Sequence, residues 1–341
     1  MSKGRILIVL WTTSKCNLKC RYCYASAVKE KYDMDFKTAV NALDHFSGQS
    51  MKIQFAGGEP LVNYDLICKI YEYVKMRGYD AVFQMQTNGT LIDEEKANGI
   101  KKMKIAVGVS IDGPPDINEW LRGETKKAVY GIQCLAHAGI WININSVVTA
   151  QNVNRLPELA DFALYLGNVA GIGLDLVRYA GRAKESTCLI KKPSAEQLKL
   201  ALNLLFQRCE LIYKQFGKMI VIREIEEAKR RLNCSACSRK YCYASCGRSF
   251  VILPSGDVYP CGSLIDDSKY YMGNINNSSL RSIALTKQNA GKCNECDYFS
   301  VCPGGCPSRV IVNSDEPQAE TLDCVLKKSA FEIADRLRKY L

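Results

Sequence analysis

The chain has 341 residues, of which 47% are hydrophobic and 24% charged, a composition typical of a globular protein with room for two domains. No apolar run approaches the length of a membrane span, so we expect a cytoplasmic protein without a membrane segment. The net charge of +11 is spread along the chain, without a long basic block or a nucleic-acid-binding motif. We therefore expect no nucleic-acid partner.

The first half of the chain alternates between short apolar strands and amphipathic helices. Strands are predicted over residues 6–11, 52–56, 81–86, 104–110, 141–148 and 172–177. Helices are predicted between them over residues 38–46, 66–77, 93–100, 126–139 and 153–166. Six strands that alternate with helices indicate parallel βαβ units. We therefore predict an α/β fold, a partial (β/α)6 TIM-like barrel, whose active-site residues lie at the carboxyl ends of the strands.

The second half has a different composition. Long helices are predicted over residues 194–216 and 224–232, and another over residues 324–341 closes the chain. The segment from Cys234 to Cys324 contains ten of the seventeen cysteines, both ends included, among many glycines, and Ser255-Gly256 predicts a hairpin. Because the cytosol keeps thiols reduced, these cysteines favour metal clusters over disulfides. We predict a barrel over residues 1–216, a bridge over 217–233 and a small metal-based domain over 234–341.

Three cysteines directly follow the first predicted strand. Cys16, Cys20 and Cys23 stand in a C-x3-C-x2-C spacing. Three thiolates hold three irons of a 4Fe–4S cluster and leave the fourth iron open to another ligand. A zinc site would need a fourth ligand nearby, and residues 17–24 contain no His and no further Cys.

This spacing resembles the signature of radical S-adenosylmethionine (radical SAM) enzymes. The resemblance implies that the open iron is chelated by the amino and carboxylate groups of SAM. It also implies that an electron from the cluster cleaves SAM to a 5′-deoxyadenosyl radical, which abstracts hydrogen from a substrate. Cys16, Cys20 and Cys23 would then be the catalytic cluster ligands, and Tyr22 matches the aromatic residue that lies against the adenine.

Further positions resemble SAM-binding motifs of this family. Gly57-Gly58-Glu59 follows the second strand and is similar to the motif that binds the SAM amino group; glycine would let a ligand approach the backbone. Ser110 and Arg122 are similar to the pair that holds the SAM carboxylate, a task that suits the arginine fork. Asn88 either reaches the ribose or the substrate, or simply forms an Asn-Gly turn. Gly181-Arg182-Ala183 also resembles the family, with no role assigned.

The later cysteines resemble a second family pattern, the SPASM domain of peptide- and cofactor-maturing radical SAM enzymes; zinc ribbons are the alternative. The resemblance implies two auxiliary 4Fe–4S clusters. Auxiliary cluster one would take Cys246, Cys261, Cys306 and one upstream cysteine, for which Cys234, Cys237 and Cys242 compete and Cys242 is the nearest to Cys246. Auxiliary cluster two would take Cys293, Cys296, Cys302 and Cys324. The cofactors would thus be SAM and three 4Fe–4S clusters.

These resemblances predict an oxidoreductase that modifies a peptide by a crosslink or an oxidation. Sulfatase maturases of this family carry an aspartate base where this chain has Gly262, which argues against sulfatase maturation. Many peptide-crosslinking members of the family carry an N-terminal peptide-recognition domain, whereas only fifteen residues precede Cys16 here. We therefore expect either that the barrel and SPASM domain grip the substrate or that a separate protein delivers it. One alternative is the modification of a small molecule such as a tetrapyrrole side chain, and another is an iron–sulfur electron carrier or scaffold without SAM chemistry. The basic surface would suit an acidic electron donor, a reduced flavodoxin or ferredoxin.

Overall fold

The computed structural model describes residues 4–28, 30–185, 189–234, 240–265, 267–277, 279–286, 291–313 and 321–339. The strands are β1 (Ile6–Thr13), β2 (Met51–Gly57), β3 (Ala81–Thr87), β4 (Ala106–Ser110), β5 (Ile142–Val148), β6 (Val169–Leu176), β7 (Val221–Ile222), β8 (Ser249–Ile252), β9 (Asp257–Tyr259) and β10 (Gly273–Asn274). The α-helices are α1 (Phe36–His45), α2 (Tyr64–Met76), α3 (Glu94–Lys102), α4 (Pro115–Leu121), α5 (Thr125–His137), α6 (Leu156–Leu166), α7 (Arg182–Glu185), α8 (Ala195–Phe216), α9 (Arg223–Leu232), α10 (Pro307–Asn313) and α11 (Leu322–Lys339).

Six parallel strands form the centre of a ten-stranded sheet. β1 to β6 are neighbours in chain order, and each pairs in parallel with the next. The crossovers between them contain α1, α2, α3, α5 and α6. The predicted partial (β/α)6 barrel is therefore confirmed, and the ends of the six predicted strands differ from the observed ends by at most three residues.

The strands present an apolar outer face to the helices and a mixed inner face to the barrel interior. On β2, Ile53 and Phe55 are fully buried in the main core, whereas Gln54 between them points to the other side and is partly exposed. On β1, the inner side chains Val9 and Trp11 belong to a separate buried apolar cluster. The interior therefore has one apolar wall, at β1 and β8, and one polar wall, from β2 onwards.

The cysteine-rich segment continues the barrel sheet. β8 pairs in parallel with β1, and β9 and β10 extend the sheet in antiparallel fashion. The predicted hairpin at Ser255-Gly256 joins β8 and β9, and the φ of +89° at Gly256 explains the glycine. α11 packs back onto α8 and α9 of the first half. The boundaries at residues 216 and 234 stay predictions, because strands before and after them share one sheet.

Three short helices were not predicted, because each is too brief for a clear apolar period. α4 and α10 begin with a proline, which suits the first turn of a helix. They matter for function, since Arg122 follows α4, Arg182 begins α7 and Cys306 precedes α10. None of the helices in the described part of the chain has the length and apolar character needed to span a bilayer.

Candidate active site

The loop after β1 carries the first three predicted cluster ligands. The Leu18 N–H donates to Cys16 Sγ (3.4 Å), and the Cys23 N–H donates to the Cys20 carbonyl (3.3 Å), so the loop turns back on itself. Partial burial of the Cys16 thiol, with contributions from Cys20 and Cys23, raises its pKa to about 11. Three thiols on one tight loop fit a cluster with one open iron, and they would bind iron as thiolates with release of protons.

Arg182 fixes this loop from the far side of the barrel. Its Nε donates to the carbonyl of Cys20 (2.8 Å), and its backbone N–H donates to the carbonyl of Cys23 (3.1 Å) and to Ser26 Oγ (2.8 Å). Gly181, with φ +53°, allows this approach, since a Cβ there would lie 2.5 Å from the Cys23 carbonyl oxygen. The sequence had singled out this Gly-Arg-Ala run without a role, and the structure shows that it holds the backbone of the cluster loop.

Gly57 and Gly58 lie against the start of the same loop. The Gly58 N–H donates to the carbonyl of Thr13 (2.9 Å), and the Glu59 N–H donates to that of Lys15 (2.9 Å). A Cβ on Gly57 would lie 2.2 Å from the Thr13 oxygen, and one on Gly58 would lie 2.0 Å from the Lys15 oxygen. The sequence predicted that a ligand would approach these two glycines. In the structure, the atoms that lie against them are backbone oxygens at the start of the cluster loop.

Glu59 is almost completely buried and accepts three hydrogen bonds. Its Oε1 accepts from Thr87 Oγ1 (2.6 Å) and the Leu61 N–H (3.2 Å), and its Oε2 accepts from the Asn88 N–H (2.8 Å). Burial raises the pKa of this carboxyl group, although the three donors oppose the shift. Most of the acceptor capacity of Glu59 is therefore used to tie the end of β2 to the end of β3.

Asn88 joins the end of β3 to the cluster loop. Its Oδ1 accepts from the N–H of Thr90 (2.8 Å), which is the turn considered as an alternative to ligand binding. Its Nδ2 donates to Asn17 Oδ1 (3.0 Å), and Asn17 Nδ2 donates to Thr90 Oγ1 (2.7 Å). The side chain thus positions Asn17, one residue after Cys16.

Tyr22 and Arg122 meet at a buried carboxylate that sequence reasoning missed. Tyr22 donates from its hydroxyl to Asp112 Oδ2, and Arg122 Nη1 donates to the same hydroxyl and lies 3.5 Å from Asp112 Oδ2. Burial raises the pKa of Asp112 even though Arg122 opposes the shift. Asp112 follows β4 in the run Ser110-Ile111-Asp112-Gly113-Pro114. The sequence analysis assigned a role only to Ser110 of this motif, although the same motif contains the aspartate.

Ser110 faces the barrel interior, in a row of polar side chains. Its hydroxyl accepts from Gln86 Nε2 (2.8 Å), and Gln86 Oε1 accepts from Asn145 Nδ2 (2.6 Å). Asn145 Oδ1 in turn accepts from Arg223 Nη1 (3.2 Å), and Gln84 donates to Gln54 lower in the same interior. The structure thus joins Ser110 to amide side chains, while Arg122 is joined to Tyr22 and Asp112.

Two cysteines predicted for auxiliary cluster one share a serine. Ser308 Oγ lies 3.4 Å from Cys261 Sγ and 3.3 Å from Cys306 Sγ. Cys242 Sγ lies 3.7 Å from Ser245 Oγ, and burial raises the pKa of the Cys242 thiol. Cys246 is the last residue of a short 3-10 turn, residues 244–246, which begins two residues after Cys242.

The cysteines predicted for auxiliary cluster two lie in two stretches of the chain, residues 293–302 and the start of α11. The Cys296 N–H donates to the Cys293 carbonyl (3.2 Å), and the Gly304 N–H donates to Cys302 Sγ (3.4 Å). Cys324 lies in the first turn of α11. Cys237, one of the three candidates for the upstream ligand of cluster one, lies outside the described residues.

Within the described ranges, no three Cys, His, Asp or Glu side chains form a group able to hold a single metal ion. A zinc ribbon needs four ligands about 2.3 Å from one ion. A 4Fe–4S cluster places its irons at the corners of a cube, so its thiolates need not converge on one point.

Comparison with known proteins agrees with both cysteine patterns. The radical SAM superfamily model matches residues 12–163, and the SPASM model, an iron–sulfur cluster-binding domain, matches residues 242–307. An uncharacterized protein of Methanocaldococcus jannaschii, MJ0907, is 34% identical over 86% of this chain and 96% of its own length. An AdoMet-dependent heme synthase of Nitratidesulfovibrio vulgaris is 28% identical over 94% of this chain and 92% of its own. A cysteine-type anaerobic sulfatase-maturating enzyme of Clostridium perfringens is 27% identical over 96% of this chain and 95% of its own.

Solved structures share the fold. The structure of anSMEcpe with bound AdoMet and the Kp18Cys peptide has a TM-score of 0.81 and 23% identity, covering 98% of each chain. Streptococcus suis SuiB bound to the precursor peptide SuiA has a TM-score of 0.67 and 18% identity, covering 95% of this chain and 76% of SuiB. The chain belongs to the radical SAM superfamily with a C-terminal SPASM domain, and its cofactors are S-adenosylmethionine and 4Fe–4S clusters.

Proposed function

We propose that this protein is a peptide-modifying oxidoreductase that abstracts hydrogen from a peptide held in the barrel interior. The SAM-binding cluster, when present, supplies one electron that cleaves SAM and yields a 5′-deoxyadenosyl radical. The protein supplies the cavity that holds SAM and substrate together and keeps water out of the radical chemistry. Loss of one hydrogen atom to this radical, and of a second electron to an auxiliary cluster with release of a proton, would leave an oxidised or crosslinked peptide.

The cluster ligands follow from the two cysteine patterns. Cys16, Cys20 and Cys23 hold the SAM-binding cluster on a loop that Arg182 fixes through two carbonyl groups. Auxiliary cluster one takes Cys242, Cys246, Cys261 and Cys306. Auxiliary cluster two takes Cys293, Cys296, Cys302 and Cys324. We choose Cys242 as the upstream ligand because it is the nearest of the three candidates to Cys246 in the sequence.

Arg122 is the residue we assign to the SAM carboxylate. Only 10% of its side chain is exposed, and Asp112 and Tyr22 hold it through Nη1. In the described part of the structure no group accepts from its Nε or Nη2, which leaves two donors of the fork for a carboxylate. Tyr22, held by the same contacts, would lie against the adenine.

The remaining SAM contacts lie at the ends of β2, β3 and β4. Gly57, Gly58 and Glu59 would form the wall at the amino group of SAM, with the remaining acceptor capacity of the Glu59 carboxylate directed to the ammonium. Ser110 and Asn88 would lie nearest the carboxylate and the ribose. Asn88 and Ser110 already have protein partners, so we expect them to contribute by position more than by charge.

The polar row inside the barrel is the observation that carries the peptide assignment. Gln54, Gln84, Gln86 and Asn145 bring amide groups to the inner face of β2, β3 and β5, with Ser110 between them. Amides donate and accept at once, which matches the alternating N–H and C=O groups of a peptide. The likeness to the peptide-bound anSMEcpe and SuiB folds supports a peptide in this interior.

Sulfatase maturation is not the favoured reaction. Gly262 supplies no base, and an ideal Cβ at this position would lie 3.5 Å from the Tyr24 hydroxyl and 3.6 Å from the Trp11 ring. Burial raises the pKa of Tyr24, so its hydroxyl stays protonated. The Tyr24 side chain beside Gly262 is therefore a neutral phenol and does not replace the missing carboxylate base.

Tetrapyrrole modification is the second candidate. The apolar wall formed by Val9, Trp11, Val251 and Leu253 would suit a flat macrocycle, and one relative is an AdoMet-dependent heme synthase. In either case we propose reduced flavodoxin or ferredoxin as the electron donor. For the peptide reaction, we also propose that a separate peptide-recognition protein delivers the substrate.

The test measures 5′-deoxyadenosine and substrate mass with reconstituted protein, SAM and dithionite. The substrates are synthetic peptides encoded by short reading frames beside the gene and, in a second arm, Fe-coproporphyrin III. We expect one peptide to stimulate 5′-deoxyadenosine formation and to lose mass by oxidation, and Cys16→Ala to abolish both. Gln86→Leu should raise the KM for the peptide about tenfold, because the hydrogen bonds between the Gln86 side-chain amide and the peptide would be lost. The exposed Gln49→Leu is the matched control.

Each other outcome identifies a different function. Stimulation by Fe-coproporphyrin III and by no peptide would establish the second candidate. Absence of SAM binding in protein that contains all its iron would leave an electron carrier or scaffold.

A further inference from the structure

A buried ion network connects the barrel to the cysteine-rich segment. Arg178, just after β6, donates from Nη1 to Asp175 Oδ2 (2.5 Å), and Arg309 of α10 donates to Asp175 Oδ1. Arg309 also binds Asp323 of α11 through two bonds, from Nη2 to Oδ1 (2.6 Å) and from Nε to Oδ2 (2.7 Å). Two arginines thus face two aspartates, and the charges of the network balance.

The network ends on cysteines assigned to both auxiliary clusters. Arg178 Nη2 donates to Cys306 Sγ (3.8 Å). Asp323 Oδ1 accepts from the Cys306 N–H (3.2 Å), and Asp323 directly precedes Cys324. The charged groups therefore lie between ligands of cluster one and a ligand of cluster two.

One donor of this network lacks an acceptor. Arg178 Nε is buried, and within the described residues no group accepts a hydrogen bond from it. Only 13% of the Arg178 side chain is exposed, so solvent does not satisfy the group fully. An unsatisfied buried donor costs about 1–3 kcal/mol. A cluster held by Cys306 would bring sulfide acceptors to the same edge of the guanidinium that already faces Cys306 Sγ.

We propose that Arg178 donates hydrogen bonds to Cys306 Sγ and to a sulfide of auxiliary cluster one, and thereby raises the reduction potential of that cluster. The proposal rests on the ligand assignment made under Proposed function. Reduction adds one electron and one negative charge to the cluster, while no proton moves and no bond in the four side chains breaks. A fixed cation and its hydrogen bonds stabilise the more negative form, and hydrogen bonds to cluster sulfur are an established control of such potentials.

The network explains why this arginine stays in place. Asp175 fixes one end of the guanidinium, and Arg309 supplies a second cation to Asp175. Removing the Arg178 charge therefore leaves Asp175 paired, which makes the residue suitable for mutation. With a higher reduction potential, auxiliary cluster one would more readily accept the electron that the substrate loses when it is oxidised.

The experiment is a potentiometric titration of the anaerobically reconstituted full chain, monitored by electron paramagnetic resonance, with dithionite as the reductant. The signal that Cys261→Ala removes identifies auxiliary cluster one. We expect Arg178→Met to keep its iron and to lower the ratio of reduced to oxidised cluster about tenfold at fixed potential, a shift of about 59 mV for one electron. Arg178→Lys should shift it less, and the exposed Lys184→Met not at all.

An unchanged potential in Arg178→Met with full iron would overturn the proposal. If Arg178→Met loses the cluster, Arg178→Lys decides, and an unchanged potential in that variant would also overturn it. Failure of the ligand assignment has a different signature, namely no loss of iron in Cys306→Ala or Cys261→Ala.

Discussion

Arg182 Nε donates to the carbonyl oxygen of Cys20 at 2.8 Å, across the barrel from the end of β6 to the loop after β1. The contact is made by the side chain, whereas the Arg182 backbone holds Cys23. A group that orients ligands of a metal site typically changes metal affinity by 10–100-fold when removed. This bond therefore gives the cluster loop a support that lies 159–162 residues away in sequence.

We predict that Arg182→Met loses iron from the N-terminal cluster about tenfold faster than the wild type, because the bond to the Cys20 carbonyl would be lost and only the backbone bonds to Cys23 and Ser26 would remain. Iron retained after incubation with a chelator measures this, together with the spectrum of the SAM-bound cluster. Lys184→Met, at an exposed position of α7, is the matched control. Equal rates for Arg182→Met and wild type would show that the bond does not support the cluster.

Gly57→Ala and Gly58→Ala should each prevent assembly of the N-terminal cluster. The added methyl groups would meet backbone oxygens of Thr13 and Lys15 at 2.2 Å and 2.0 Å, and neither oxygen can move without moving the cluster loop. Iron analysis should find about four irons fewer than in wild type. Gly48→Ala is the control, since a Cβ there meets nothing within 4 Å, and full iron in the Gly58 variant would contradict the prediction.

Glu59→Gln should lower the free energy of unfolding by about 1–3 kcal/mol, because one of the three donors aimed at the carboxylate would face an NH2 group. Urea unfolding followed by circular dichroism measures the change, with the exposed Glu95→Gln as control. A variant with unchanged stability but weaker SAM binding would mean that Glu59 acts on the ligand alone.

Arg122→Met should be more destabilising than the double variant Arg122→Met/Asp112→Asn. The single change leaves a buried carboxylate without its cation, which typically costs about 3–5 kcal/mol, whereas the double change removes both charges. Urea midpoints of the wild type, both single variants and the double variant give the coupling free energy between the two residues. Additive effects would show that the pair does not interact.

The sequence was sufficient for the barrel, because its strands and helices are encoded by local patterns, whereas the cysteine ligand sets stay predictions. Strand and helix periods fixed the βαβ order, and thiol spacing on a short loop limits the metal that the loop can hold. The continuation of the sheet through β8 next to β1 has no local signal, since strands about 240 residues apart pair only in the folded chain.

Contacts between distant elements account for what was missed in the site. Asp112 was not predicted as a site residue, because its role depends on contacts with Tyr22, ninety residues before it, and Arg122, ten residues after it. Gly57 was expected to let a ligand approach, which stays a prediction, and the sequence could not identify the Thr13 backbone as the group that lies against it. Arg178 was not singled out, because no local pattern in the sequence indicates that it lies beside Cys306.

Iron and sulfide per chain after anaerobic reconstitution test the central claim most directly. For wild type the account predicts about twelve irons, from three 4Fe–4S clusters, falling to about eight in Cys16→Ala/Cys20→Ala/Cys23→Ala. Cys242→Ala should also lose iron, whereas Cys234→Ala should not. A wild-type value near four irons would contradict the account, because the C-terminal cysteines would then hold no iron–sulfur cluster.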